Sequence, residues 1–344
     1  MSYILITFTL LFSDYASLRK AGLAEYQAGH YAQAEALMRT ALESARSNHD
    51  DYEEALSYSD LGDDLQAQGQ FLDAERAYRK ALTIFYQRPA SAHAAAIVLR
   101  NLATNLTSQL KYREAQAVLK EAAKLVSKNK VQDPGLSAAI INALGVIQFA
   151  DGEIDKAEDS FSRAAALPFD GLWEVHNNMG HVYQIRRQYF KAEEAYSTSL
   201  RLCSGRVETP KLSLAIIHDN LGSLYMDMRR LTDAERQFRE SLAILENSDL
   251  SSYTMPLMHT LYQLARIRIA QNDEAHAQPF LERAAAMARR QGTPADMGEV
   301  VEILDVYAKV LKDFSNASEA ENVQTEARKI RAAMSFTVPL ANLR

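Results

Sequence analysis

At 344 residues the chain is long enough for two ordinary domains, or for one elongated array in which no single core grows large. It is 47% hydrophobic and 24% charged, with only 13 Gly and 8 Pro, a composition rich in helix formers and poor in strand-type alternation. A net charge of -6 argues against a nucleic-acid partner, which demands clustered Lys and Arg, and the single Cys203 rules out an internal disulfide and an all-cysteine zinc site.

In chain order, residues 1–13 form an apolar segment with two readings. "MSYILITFTLLF" has the hydropathy of a signal-peptide core but no basic flank, and "FSDYAS" is a poor cleavage site; it equally suits a cap laid on the element that follows. A cytoplasmic location is expected, with export or membrane tethering through residues 1–13 as the alternative. Nothing in the body of the chain approaches the ~20 apolar residues of a membrane-spanning helix.

From Asp14 to Arg331 the chain repeats itself. "GHYAQAEALMRTAL" at Gly29–Leu42 returns as "GQFLDAERAYRKAL" at Gly69–Leu82. Its leading residue and alanine recur as Tyr31/Ala34, Phe71/Ala74, Tyr112/Ala115, Ile154/Ala157, Tyr189/Ala192 and Leu231/Ala234, with weaker copies at Glu274/Ala277 and Ala317/Ala320. The alanines lie 40, 41, 42, 35, 42, 43 and 43 residues apart. Twelve residues before each alanine stands Gly or Ala: Gly22, Gly62, Ala103, Gly145, Gly180, Gly222, Ala265 and Ala308. Small residues at one fixed point of a helix let an antiparallel neighbour approach closely, so each repeat reads as a helical hairpin. Pro89, Pro134, Pro168, Pro210, Pro256 and Pro294 fall between repeats, while Gly29, Gly69 and Gly152 mark turns inside them. Pro279 falls inside the second helix of the seventh repeat, which is expected to start late or kink there. The eighth repeat is polar, with Gln324 where a large apolar residue is expected, as suits a cap. Residues 332–344 form a tail, read either as disordered or as folding back into its own groove.

This pattern of small residues at the eighth, twentieth and twenty-seventh places, with a large one at the twenty-fourth, resembles the tetratricopeptide repeat. The spacings mostly exceed that family's usual ~34 residues and look like the lengthened repeats of kinesin light chains and their bacterial relatives; "HDNLGSLYMDMRRLTDAERQFRESLAIL" is the best match. The resemblance implies an all-α, right-handed superhelical α-solenoid of about eight antiparallel hairpins. The first helices would line a concave groove and the second helices a convex back.

In several families of such repeats an Asn two places before the small eighth residue bonds the backbone of an extended peptide. The matching positions are Lys20, Asp60, Asn101, Ala143, Asn178, Asn220, Gln263 and Val306. An amide carries both donor and acceptor, so it pairs with peptide NH and CO without demanding a particular sequence. Asn142 and Asn177, one place earlier, offer themselves at the groove's other edge where Ala143 interrupts the row. The row one place after the small residue runs Leu23, Asp63, Thr104, Val146, His181, Ser223, Arg266 and Lys309, acidic or neutral early and basic late. With Arg100, this gives a groove able to meet an acidic segment, although the full set of a carboxylate clamp is missing. The candidate partner-binding residues are therefore Asn101, Asn142, Asn177, Asn178, His181, Asn220, Gln263, Arg266 and Lys309. The competing reading has these amides capping loops or facing water.

Other chemistry is weakly supported. His181 facing Asp219 reads as a helix-interface histidine or as a general base, but no nucleophile or oxyanion donor accompanies the pair. Equivalent positions of stacked repeats lie about 10 Å apart, too far for His176 and His218 to share a metal. There is no GxxxxGK and no GxGxxG. Arg186–Arg187 and Arg229–Arg230 mark either a basic ridge or solvated turns. The expectation is a non-catalytic scaffold with a protein or peptide partner, no cofactor, no nucleic acid and no small-molecule substrate. Docking or self-association through the convex face is the alternative.

Overall fold

The computed structural model describes residues 14–129, 131–168, 170–205, 211–247, 254–288, 297–314 and 316–336. The apolar residues 1–13, and the tail from 337 onward, lie outside the described residues, and so do the readings attached to them.

Among the described residues there are sixteen α-helices and no strand. The first hairpin is α1 (Tyr15–Gln27) with α2 (Tyr31–Ser47), and the second is α3 (Asp51–Ala67) with α4 (Phe71–Phe85). The third is α5 (Ala92–Ser108) with α6 (Tyr112–Lys128), and the fourth α7 (Pro134–Ala150) with α8 (Ile154–Ala165). Next come α9 (Leu172–Ile185) with α10 (Tyr189–Ser204), and α11 (Lys211–Asp227) with α12 (Leu231–Glu246). The last two are α13 (Thr254–Ala270) with α14 (Glu274–Ala288), and α15 (Met297–Asp313) with α16 (Ala317–Phe336). These eight hairpins coincide with the eight sequence repeats, and the fold is an all-α solenoid. The chain divides into two compact units, Met1–Val182 and Tyr183–Arg344, with the division inside α9. No helix among the described residues is long and apolar enough to cross a membrane.

First and second helices begin differently, for a local reason. Asp14, Asp50 and Asp133 cap α1, α3 and α7 by accepting from backbone N–H groups at 2.7–3.0 Å. The second helices α2, α4, α6, α8, α10 and α12 have no such cap, because each follows a tight turn that bonds back to the first helix. His30 N–H reaches Glu25 O (2.9 Å), Lys111 N–H reaches Leu106 O (2.9 Å) and Arg230 N–H reaches Tyr225 O (2.8 Å), the long bond of a Schellman motif. That motif needs one left-handed residue. Gly29, Gly69 and Gly152 supply it, but so do Leu110 (φ 60°), Arg187 (φ 58°), Arg229 (φ 58°) and Asn272 (φ 57°).

Inside a hairpin the aromatic of the second helix sits on the small residue of the first. A methyl group placed on Gly62 would come 2.5 Å from Tyr78 Cε1, and one on Gly145 would come 2.6 Å from Phe161 Cε1. Tyr78, Phe161, Tyr196 and Phe238 are all buried. Around Tyr78, the residues Leu61, Leu82, Leu99, Leu102, Leu119 and Ile140 form the main core of the first unit. In the second unit Leu224, Leu245, Leu261, Leu281 and Tyr307 are buried.

Two boundaries differ from the sequence reading. α14 starts at Glu274 and runs through Pro279, in register with the other second helices rather than late. Pro279 lies early in that helix, so its missing N–H removes only one of the first intrahelical bonds. α16 continues to Phe336, so residues 332–336, counted with the tail, are helical; no breaker occurs in "AAMSF".

Candidate functional site

On the first helices, polar side chains pair with partners about one repeat away in sequence. In the first unit Arg19 Nε donates to Asp60 Oδ2 (2.5 Å) and Nη2 to Oδ1 (3.3 Å), joining α1 to α3. Asn101 on α5 donates to Asp63 Oδ1 on α3 (2.9 Å), while Arg100 Nη2 donates to Asn101 Oδ1 (2.9 Å). Asn178 on α9 donates to Asn142 Oδ1 on α7 (3.2 Å). The second unit repeats the device. Thr260 on α13 donates to Asp219 on α11 (2.9 Å), His259 Nδ1 lies 2.5 Å from Glu299 on α15, and Tyr262 OH donates to Glu302 (2.8 Å).

Burial and these pairings set the charges. Burial pushes the Asp63 carboxyl up to about 6, against hydrogen bonds from Tyr78 and Asn101 that favour its anion. Asp64, 1% exposed, rises to about 7 because it is buried beside the negative charges of Asp60, Asp63 and Glu35. Its Oδ2 has no hydrogen-bond partner. Asp219 rises to about 6 through burial, opposed by the charge of His259 and the Thr260 bond. His259 itself is pulled down by burial but more strongly up by the Glu299 carboxylate, for a net rise. Burial alone pushes His181 down to about 4, so its ring is neutral at physiological pH.

The predicted residues fall as follows. Asn142 and Asn177 are buried at 6% and 9% exposure, so both are structural neighbours of the face rather than groups standing on it. Asn101, Asn178 and Asn220 are half-buried on α5, α9 and α11. Asn142 and Asn178 are brought together, whereas Asn101 is held by Asp63 and Arg100, outside the predicted set. Gln263 is buried, accepts from Arg266 Nη1 (3.0 Å) and lies 3.3 Å from His259 Nε2. The Arg266 guanidinium lies 5.8 Å from the Tyr262 ring centroid. Lys309 is exposed on α15. His181 is half-buried with its ring 6.3 Å from that of Phe149.

Sequence reasoning missed His259 with Glu299 and Tyr262 with Glu302. The available signal was spacing: each pair lies 40 residues apart, one repeat, on first helices. The arginine pairs resolve in part. Arg187 and Arg229 occupy the left-handed turn positions, and Arg230 is tied to Glu193 (3.1 Å) and Asp233 (2.8 Å) over the Tyr225 ring. Among the described residues no group of His, Cys, Asp and Glu is arranged to hold a metal.

Comparison with known proteins agrees with this architecture. No curated protein matches the chain in sequence. A tetratricopeptide repeat protein from Parabacteroides merdae is similar at 15% identity and TM-score 0.51, over 91% of this chain and 98% of that one. The Rap conjugation gene regulator of plasmid pLS20, solved with the Phr* peptide, is similar at 16% identity and TM-score 0.60, over 80% of this chain and 74% of that one. BtubC (BKLC) from P. vanneervenii is similar at 20% identity and TM-score 0.43, over 79% and 94%. A family model described as tetratricopeptide repeat matches residues 14–87, 174–247 and 213–290. Those matches span more than half of the chain, which belongs to the tetratricopeptide-repeat family.

Proposed function

We propose that the chain is a non-catalytic scaffold that binds extended segments of partner proteins along its first-helix faces, through Asn178 in the first unit and, separately, Asn220 in the second. The observation that carries this reading is the state of Asn178. It gives one amide N–H to Asn142 and keeps Oδ1 and the other N–H, so its plane is fixed while a donor and an acceptor remain for a peptide backbone. Asn101 is more committed, since Asp63 takes one N–H and Arg100 occupies its oxygen. The first two hairpins offer little to a peptide, because Arg19 on α1 and Asp60 on α3 are already paired with each other. Exposed Arg266 and Lys309 give the second unit a preference for acidic residues. A neighbour in fold whose structure contains a peptide, the pLS20 regulator, lends support by precedent.

The test is a pull-down from native cell extract with the wild-type chain and the Asn178→Ala, Asn220→Ala variant in parallel, the retained proteins identified by mass spectrometry. A partner held by the wild type and lost from the variant, with both equally helical, is the expected result. Identical retention by the two refutes the assignment.

A further inference from the structure

The opposite side of the first unit, built by its second helices, carries a feature that the first-helix reading leaves unused. Successive second helices leave a gap between them, and the residues filling it recur in register. Counted from Ala34, Ala74 and Ala115, the eighth residue on is Leu42, Leu82 and Ala123, and the twelfth is Arg46, Tyr86 and Ser127. Leucine with a long twelfth residue narrows the first two gaps. Tyr86 OH reaches across to Glu121 on α6, and Arg46 lies in the smaller cavity of about 360 Å³ between α2 and α4.

In the third hairpin both fillers are small, and the gap between α6 and α8 opens into a cavity of about 540 Å³. Its floor is apolar, made by Val126, Ile140 and Ile141, with exposed Ala123 and Ser127 at the edge. That space accommodates a large apolar side chain from outside.

The charges around the two cavities differ as well. Beside the first, Arg39 is paired with Glu35 (2.8 Å), Arg46 with Glu43 (3.1 Å) and Glu54 (3.0 Å), and Arg76 with Asp73. Beside the second, Lys120, Lys124 and Lys128 run along the exposed flank of α6 at successive turns, and among the described residues none of them has a carboxylate within ion-pair distance. Arg163 on α8, which lines the cavity, has only the exposed, 3.4 Å contact with Asp159. No Asp or Glu occurs from Ala122 to Gln132, in a chain whose net charge is -6. An apolar socket bordered by cations that the protein itself does not neutralise is complementary to carboxylates flanking a large apolar side chain.

We propose that the gap between α6 and α8 is a second docking site, which takes an acidic segment of a partner protein anchored by a Leu or Phe. It is independent of Asn178 and Asn220, so the two assignments fail separately. The probe is a short fluorescein-labelled peptide with a central Leu-Phe pair flanked by Glu and Asp, titrated with the full chain and followed by anisotropy. Saturable binding is expected, at least about tenfold tighter than for the version with Gln and Asn in place of the acids. Ala123→Leu restores the residue that narrows the other gaps and should weaken binding by about tenfold with the helical signal intact. Lys124→Glu with Lys128→Glu, on the exposed flank, should do the same. Equal affinity of Ala123→Leu for the probe overturns the proposal, as does equal binding of the uncharged peptide. Binding to anionic lipid vesicles but not to the probe overturns it too, and so does self-association of the chain that Ala123→Leu abolishes while the probe stays unbound.

Discussion

Replacing Asp64 by Asn should stabilise the protein, and more so as the pH rises. Asp64 is 1% exposed, its Oδ2 has no hydrogen-bond partner, and its neighbours Asp60, Asp63 and Glu35 are all acidic. The folded carboxyl titrates at about 7, whereas an unfolded aspartate titrates near ~3.9. Between those values the native state binds a proton that the unfolded chain has already released, so stability falls as pH rises through that window. At about 1.4 kcal/mol for each pH unit, full ionisation costs the fold up to about 4 kcal/mol, and relaxation around the charge brings this to about 2–4 kcal/mol. Asparagine has the same shape without the charge, and Asn105 already stands at the equivalent place in α5, accepting from Gln109 (2.8 Å). The assay is thermal unfolding of wild type and Asp64→Asn, followed by circular dichroism from about pH 4.5 to about pH 8. The two should differ least at the acid end, where the folded carboxyl is protonated and the unfolded one is still close to its own titration. At the alkaline end the variant should melt several degrees higher. A gain that is the same at every pH, or a loss, refutes the argument that ionisation of a buried carboxyl is what weakens this site.

The other consequences are simpler to measure. Gly145→Ala puts a methyl group 2.6 Å from the Phe161 ring and should cost about 1–3 kcal/mol in urea unfolding; no loss would mean that the ring shifts freely. Leu110→Gly relieves a left-handed leucine that is 72% exposed and should leave stability unchanged or raise it by about 0.5–1 kcal/mol, whereas the reverse change, Gly69→Leu, should lower it. Glu299→Gln removes the partner that raises His259, so the imidazole should titrate at lower pH in an NMR titration; an unchanged midpoint would show that the pair does not form in solution.

Much of the fold was readable because hairpin packing leaves a periodic trace. Gly62 against Tyr78 and Gly145 against Phe161 are geometric necessities, and they recur at fixed offsets that a single sequence displays. The turns were readable only where glycine marks them. Leu110 and Asn272 adopt the same conformation without that signature, since neighbouring helix packing imposes it. The start at Glu274 and the end at Phe336 escaped the sequence because packing on the preceding helix carries α14 through Pro279 and because a polar run does not end a helix. The face itself was legible only in part. Two of the predicted amides are engaged by neighbours: Asn178 by Asn142, and Asn101 by Asp63. Such pairing depends on which residue a given position meets on the next hairpin, information that no single repeat contains.

The bonds between first helices have a consequence for the order of the array. The rungs differ from one junction to the next: guanidinium to carboxylate from α1 to α3, amide to carboxylate from α3 to α5, amide to amide from α7 to α9, hydroxyl to carboxylate from α11 to α13, and imidazole together with phenol to carboxylates from α13 to α15. The apolar seams are near-copies and would tolerate a hairpin docking on the wrong neighbour, a characteristic failure of repeat proteins. A misplaced hairpin would set Asp60 or Asp219 against a surface without its counterpart and bury an uncompensated charge. The rungs thus act as a key code written across interchangeable parts. Deleting, duplicating or shuffling the second or the seventh hairpin would break two codes at once, which makes the array less modular than its repetition suggests.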